Sequence, residues 1–314
     1  MALLAGIEIG GTKLQVVLGD ENGNINDRRR FTVKRGEGAA GIQRDIQAAL
    51  ASYAVSQEIT GVGVGFGGPI NHQTGRISCS HHIAGWSDFP LREWLASLVK
   101  CGVAVDNDAN VAALGEARHG AGVGCSPVFF ATLGSGVGGG LVTKAGIYHG
   151  AFPGEAEIGH VRLDRHGGLV ENRCSGWAVD KRVRQAIQRN PSGHLARLAG
   201  NSKEGEARFL LAALDAGDAD ARSILAEVAE DLAFGLSHVV HLFHPEVIVL
   251  GGGLSLMGEP LRAGVAQALT PFLMQAFLPG PSVMLARLGE DAVPVGALEL
   301  AFQNPAAMEK ASKA

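Results

Sequence analysis

The sequence predicts an α/β protein made of two similar halves that face one cleft. Three observations carry this expectation. The chain has 314 residues, and at about 150 residues per domain that length favours two domains. Its 45 glycines gather at Gly10-Gly11, Gly65 to Gly68, Gly134 to Gly140 and Gly251 to Gly253. Each cluster lies where an apolar run ends, the place where α/β folds usually hold ligands. A strand, a glycine-rich turn and a second strand occur at Ile7 to Val17 and again at Phe129 to Val142.

The elements follow in chain order. Ala5 to Ile9 is apolar and stops at Gly10-Gly11-Thr12, Lys13 to Gly19 resumes as a strand, and Asp20-Glu21-Asn22-Gly23-Asn24 has hairpin chemistry. Arg28 to Val33 is placed to pair next. In Gly41 to Ala54 the residues Ile42, Ile46, Leu50 and Tyr53 recur at helical spacing. Thr60 to Gly65 reads as a short buried strand, Pro90 to Leu98 as a helix and Gly102 to Val105 as a strand. Asp108 opens a helix over Ala109 to Arg118 that Gly120 ends. Pro127 to Leu133 feeds the glycine run, and Val137 to Thr143 returns from it. The polar region Ser192 to Asp220 suggests short helices or a mobile insert. Ala221 to Phe243 is a helix ending before Pro245, and Glu246 to Leu250 a strand running into Gly251-Gly252-Gly253. Pro260 to Leu278 is expected as helix, Ser282 to Ala286 as strand, Val295 to Phe302 as helix, and the tail after Pro305 as frayed.

Composition excludes several classes. A net charge of −4 argues against broad attraction to nucleic acid or anionic membrane. No stretch approaches the ~18–20 uncharged apolar residues of a membrane span, and the first ten residues read as a strand entering a turn. Cys79, Cys101, Cys125 and Cys174 form no CxxC pair, so they suit a reducing cytoplasm.

Four segments hold the chemistry. Gly6-Ile7-Glu8-Ile9-Gly10-Gly11-Thr12-Lys13 offers backbone N–H groups, a hydroxyl and a cation, the parts of a phosphate cradle; an ordinary tight hairpin explains it equally well. Thr132 to Gly140 has five glycines in seven residues from Gly134 onward. Close approach of a triphosphate would require that, as would a bend packed against another strand. Asp106-Asn107-Asp108-Ala109-Asn110 stands between a strand and a helix. One Asn or Asp there serves as an N-cap, but two carboxylates and two amides exceed that need, and an Asp facing a cleft accepts a hydroxyl proton. Glu157 and His160 are three apart and suit a polyol; a metal site is the rival reading, with only Glu155, Asp164 and His166 near.

With these segments in hand, the chain resembles the ROK family of sugar kinases and related repressors, within the sugar kinase, heat-shock cognate and actin superfamily. The resemblance rests on Gly6 to Lys13, Asn107-Asp108-Ala109-Asn110, Leu133 to Gly140, Glu157-Ile158-Gly159-His160 and Glu246 to Gly253, in that order along nearly the whole chain. It implies two ribonuclease H-like, actin-like ATPase domains around a central cleft, expected at 1–107 plus 293–314 and at 108–292. It implies an ATP-dependent kinase that phosphorylates a hydroxyl of a hexose or N-acetylhexosamine, with ATP mainly on the C-terminal domain. By resemblance Asp108 is the catalytic base, and Asn107, Glu157, His160 and Glu171 contact sugar hydroxyls, with Gly68 supplying backbone. Gly10, Gly11, Thr12 and Lys13 and then Gly134, Ser135 and Gly136 are the phosphate segments, while Gly252 and Gly253 form the nucleoside-side turn. Mg²⁺ is implied as cofactor, and a homodimer in the cytoplasm as the assembly.

Three departures from the family pattern stand out. Many relatives have Asp where this chain has Glu8, which keeps a carboxylate for indirect Mg²⁺ contact. The family's CxCGxxGCxE zinc motif is missing, Leu169 standing at its last Cys position, and Cys174 matches no ligand position. No structural zinc is therefore expected, and His160 is left to the sugar. His81-His82 stands where relatives have Pro-Asn before Gly85-Trp86. The alternatives are a sugar-responsive transcription regulator and a non-catalytic sugar-binding protein; few residues precede the first strand and the net charge is negative, so DNA binding is not expected.

Overall fold

The computed structural model describes residues 2–54, 58–79, 83–152, 154, 156–200, 202 and 204–304. His81-His82 and the tail after Pro305 lie outside the described residues.

Strands β1 (Leu4–Ile9), β2 (Lys13–Gly19) and β3 (Ile25–Thr32) form an antiparallel meander. After helix α1 (Gly38–Ala54), β4 (Gly61–Phe66) returns parallel to β1. A small hairpin, β5 (Ile70–Asn71) with β6 (Arg76–Ile77), and α2 (Leu91–Leu98) precede β7 (Gly102–Asn107), which lies parallel to β4. Helix α3 (Asp108–His119) follows. The second sheet opens with β8 (Val128–Leu133), β9 (Val137–Thr143) and β10 (Gly146–Ile147). Then come α4 (Val170–Cys174), α5 (Gly176–Arg189), α6 (His194–Ala199), α7 (Leu210–Asp215) and α8 (Ala219–Phe243). Strand β11 (Val247–Gly251), α9 (Glu259–Leu269), β12 (Ser282–Leu285) and α10 (Ala292–Phe302) complete the chain.

The sheet orders are β3-β2-β1-β4-β7 and β10-β9-β8-β11-β12. Counted along the chain, each places its strands third, second, first, fourth, fifth, so the echo in the sequence is a repeated sheet topology. Parallel strands need helical crossovers on their faces, and so are buried on both sides. In β1 and β2 the faces separate by alternation. Ile7, Ile9, Leu14 and Val16 pack with Ile42 and Ile46 of α1. Leu4 and Val17 pack with Leu298 and Ala301 of α10. Each such fully buried Val, Leu or Ile side chain contributes about 1.5–3 kcal/mol. Gly63 lets α10 lie directly on the sheet: a Cβ there would fall within 1.9 Å of the Ala297 carbonyl oxygen.

The chain forms two compact units, Met1–Gly124 with Gly140–Glu155 and Arg287–Ala314, and Cys125–Gly139 with Ala156–Ala286. This division differs from the one expected, 1–107 plus 293–314 against 108–292: α3 with the residues to Gly124, the segment Gly140–Glu155 and residues 287–292 fall in the first unit. Helix α3 packs on α10 and β4, with Gly115 and Gly296 bringing the two helix backbones into contact. The helix expected over Pro260 to Leu278 ends at Leu269 and gives way to single 3-10 turns at Thr270–Phe272 and Gln275–Phe277. Pro271 has no N–H to continue the ladder. Helix α5 was not anticipated; its Ser175 cap accepts from Ala178 N at 3.2 Å, and Val179, Val183 and Ala186 are its buried stripe.

Candidate active site

Strand register assembles the first unit's site. Ile9 is opposite Phe66, and Phe66 opposite Asn107. The residues after each therefore emerge side by side at one end of the sheet: Gly10 after β1, Gly67-Gly68 after β4, Asp108 after β7. Gly67 N donates to Ile9 O at 2.8 Å. A Cβ on Gly67 would lie 3.2 Å from Asp108 Oδ2, so the carboxylate sits directly over this glycine.

Asn107 caps α3, its Oδ1 accepting from Ala109 N at 2.9 Å and Asn110 N at 3.4 Å. Its Nδ2 donates to Gly68 O at 3.3 Å. Asp108 stands in the helix's first turn, where peptide dipoles favour negative charge, and its Oδ1 also accepts from Ala109 N at 2.9 Å. Capping thus accounts for Asn107, while Asp108 keeps Oδ2 over Gly67.

In the first glycine turn, Gly10 N donates to Lys13 O at 2.9 Å and Thr12 O accepts from Val33 N at 2.9 Å. Glu8 pairs with Lys13 Nζ at 3.3 Å and accepts from Gln15 Nε2 at 2.7 Å. Gln15 is fully buried, and its Oε1 accepts from Arg30 Nε at 2.8 Å and Arg28 Nη1 at 3.3 Å. Gln15 was not among the residues singled out by sequence. Its only signal there is a polar side chain within the apolar run from Leu14 to Leu18. Glu8 is thus a carboxylate fixed beside the Gly10 to Lys13 turn, a donor of the kind that Mg²⁺ takes singly or in pairs while keeping its waters.

The second unit repeats the arrangement with different residues. Gly251 is opposite Thr132, so Gly252 and Leu133-Gly134 meet where β11 and β8 end. Gly252 has φ +80 and its Cβ position lies 2.6 Å from Leu133 N. Gly134 N donates to Gly136 O at 3.0 Å, and Gly134 O accepts from Gly176 N at 2.7 Å, which docks the start of α5 on the turn. Ser135 lies between these two glycines, and Gly253 begins the 3-10 turn Gly253–Met257. Glu171 accepts from Val137 N at 2.9 Å through Oε2. The same oxygen is 2.5 Å from where a Gly136 Cβ would be, so this carboxylate rests on the glycine turn. The 3-10 turn Ile158–His160 follows Glu157, with His160 N donating to Glu157 O at 3.0 Å; both side chains are exposed. Gly159 lies against Val137 O and Glu171 Cβ. Glu157, His160 and Glu171 thus gather around the start of β9.

Among the described residues no three His, Cys, Asp or Glu side chains stand close enough to hold a metal ion. Cys174 is buried, and that burial pushes its thiol up to about 12.

A family model described as the ROK family matches residues 4–304. The chain belongs to the ROK family. Both halves of this ROK chain have the family's actin-like ATPase fold. It is similar to the glucokinase of Halalkalibacterium halodurans, 32% identical over 98% of this chain and 97% of that one. The glucokinase of Thermotoga maritima is 30% identical over 95% of this chain and 96% of its own length. Among solved structures, a ROK family glucokinase from Streptomyces griseus in complex with glucose and AMPPNP superposes with TM-score 0.83 at 31% identity, covering 96% of this chain and all of that one.

Proposed function

We propose that this ROK chain is an ATP-dependent sugar kinase in which Asp108 is the general base for transfer of the γ-phosphoryl group to a hexose or N-acetylhexosamine hydroxyl. The kinase activity rests on full-length similarity to glucokinases. The observation that carries the role of Asp108 is its placement: a carboxylate in the first turn of α3, its Oδ2 over Gly67 where three strand ends line up.

A sugar hydroxyl is a poor nucleophile. As its oxygen bonds to the γ-phosphorus, its proton passes to Asp108, and the bond from that phosphorus to the β–γ bridging oxygen breaks, releasing ADP. In the first unit Asn107 and the backbone of Gly68 orient the acceptor. In the second, Glu157, His160 and Glu171 are the candidates for sugar hydroxyls. With the N–H groups of Gly10 and Gly134 closing the two turns, Gly11 to Lys13 and Ser135-Gly136 offer N–H dipoles and, at Lys13, a cation to phosphates, and Gly252-Gly253 faces the nucleoside. Mg²⁺, when bound, neutralises charge on the β- and γ-phosphates, and Glu8 is the carboxylate suited to hold its water shell. A cytoplasmic homodimer belongs to the same reading.

The test is a coupled ADP-release screen over aldohexoses, ketohexoses and N-acetylhexosamines with Mg²⁺ present. Sugar-stimulated ADP release supports the reading. Sugar binding without ADP release from any of them would contradict it.

A further inference from the structure

The segment Asp106 to Asn110 contains a second carboxylate that the kinase reading leaves unused. Asp106 is 3% exposed. Its Oδ1 accepts from Asn107 N at 2.7 Å and from Asn110 Nδ2 at 3.0 Å. Its Oδ2 meets His149 Nε2 at 2.7 Å. The His149 ring lies flat on His72, with centroids 3.6 Å apart and planes 14° from parallel. All five residues belong to the first unit, His149 entering through the Gly140–Glu155 segment. A buried carboxylate is tolerated where its lone pairs are satisfied, and losing one partner leaves that oxygen without compensation.

We infer that His149, stacked on His72, is a positioning residue for the base: it holds Asp106, which fixes the main chain at Asn107 and so the direction in which Asp108 points. The inference rests on the kinase reading. Asp106 touches the Asn107 N–H itself, so a rotated Asp106 carboxylate shifts the residue on which both the α3 cap and the base depend. A displacement of about 1 Å at a reacting group costs on the order of 10²-fold in rate. The side chain of His149 is 25% exposed, enough for small molecules to reach its place.

The experiment compares wild type, His149→Gln and His149→Ala in the ADP-release assay, with the hexose of highest wild-type turnover. Active sites are counted by the stoichiometry of sugar binding in calorimetry, so that misfolded protein does not enter kcat. Glutamine keeps an N–H donor near the Nε2 position and is expected within about five-fold of wild type. Alanine is expected to lose between about ten- and a hundred-fold in kcat per binding site. Added imidazole should restore part of that loss, which a merely structural role would not allow. His149→Ala within two-fold of wild type would overturn the inference, as would a loss in His149→Gln equal to that in His149→Ala with no response to imidazole. Should His149→Ala fail to bind sugar at one site per chain, His149→Gln decides alone, and a kcat below a tenth of wild type overturns the inference. Wild type without turnover on any sugar is a different outcome: it removes the kinase reading and the inference with it.

Discussion

Replacing Gly252 with alanine puts a methyl group where the turn after β11 has no room. Gly252 has φ +80 and ψ −179, a region almost closed to residues with a Cβ; occupying it costs about 1–3 kcal/mol. The added Cβ would also lie 2.6 Å from Leu133 N and C and 2.7 Å from its O. These are main-chain atoms of β8, which cannot swing aside as a side chain does, so overlap adds roughly 1–3 kcal/mol. The sum is about 2–6 kcal/mol, a large part of the ~5–15 kcal/mol by which domains are stable. At about 2–4 °C per kcal/mol for a unit of this size, a mid-range value lowers Tm by roughly 8–16 °C. Gly253 is the internal control. Nothing lies within 4 Å of its Cβ position, so Gly253→Ala is expected to stay within about 0.5 kcal/mol of wild type. The assay is thermal unfolding by calorimetry on both variants, with KM for ATP measured below the transition. Gly252→Ala should raise that KM more than the sugar's. A Gly252→Ala melting point within about 2 °C of wild type (about 0.5–1 kcal/mol on the same scale), or an equal fall in Gly253→Ala, would refute the steric argument.

Glu116 is fully buried and accepts from the N–H groups of Ala121 at 2.8 Å, Arg287 at 3.1 Å and Leu288 at 2.8 Å. Glu116→Ala strands these donors and should cost about 2–4 kcal/mol in urea unfolding; a loss below ~0.5 kcal/mol would show that they find other partners. Asp218 caps α8 by accepting from Ala221 N at 2.9 Å, and it also accepts from Leu195 N at 3.4 Å. Burial pushes its carboxyl up, but the N–H groups of Ala221, Leu195, Asp220 and His194 more than offset this and hold it below the usual value. Because the folded pKa is depressed, the charged form's stabilisation is complete above the unfolded value near ~3.9 and fades as pH falls through the folded one. Asp218→Asn should therefore be less stable than wild type at pH 7, by about 1 kcal/mol or less, with the gap closing in acid; a gap that does not change with pH contradicts this. Three cysteines are partly exposed and Cys174 is buried with its thiol pushed up to about 12. A thiol-reactive dye should leave Cys174 unlabelled until the protein is denatured, and prompt labelling of Cys174 in native protein would contradict its burial.

Period and punctuation made much of the fold readable. The apolar runs ending at Gly10, Leu133 and Gly251 became β1, β8 and β11, and the echo between Ile7 to Val17 and Phe129 to Val142 became a shared strand order. What escaped was set by tertiary contact. Many glycines pointed to ligands in the sequence, yet Gly63, Gly115 and Gly296 serve close packing with α10 or α3, a demand that periodicity does not carry. The domain division followed which helix α3 packs on, information absent from its own residues. The position of Asn107 and Asp108 was legible because polar residues between an apolar strand and a helical run mark the junction, here the end of β7 and the start of α3. The contacts of Gln15 and His149 were not legible, since each is made to a partner distant in sequence, Gln15 to Arg30 and His149 to Asp106.

The measurement that bears most directly on the account is the turnover of Asp108→Asn, taken beside its sugar affinity by calorimetry. Asparagine preserves size and can still accept from Ala109 N, but it takes no proton. The account predicts a kcat lower by about 10²–10⁴-fold with sugar Kd changed only a few-fold. A variant that turns over within ten-fold of wild type while binding sugar normally would contradict it.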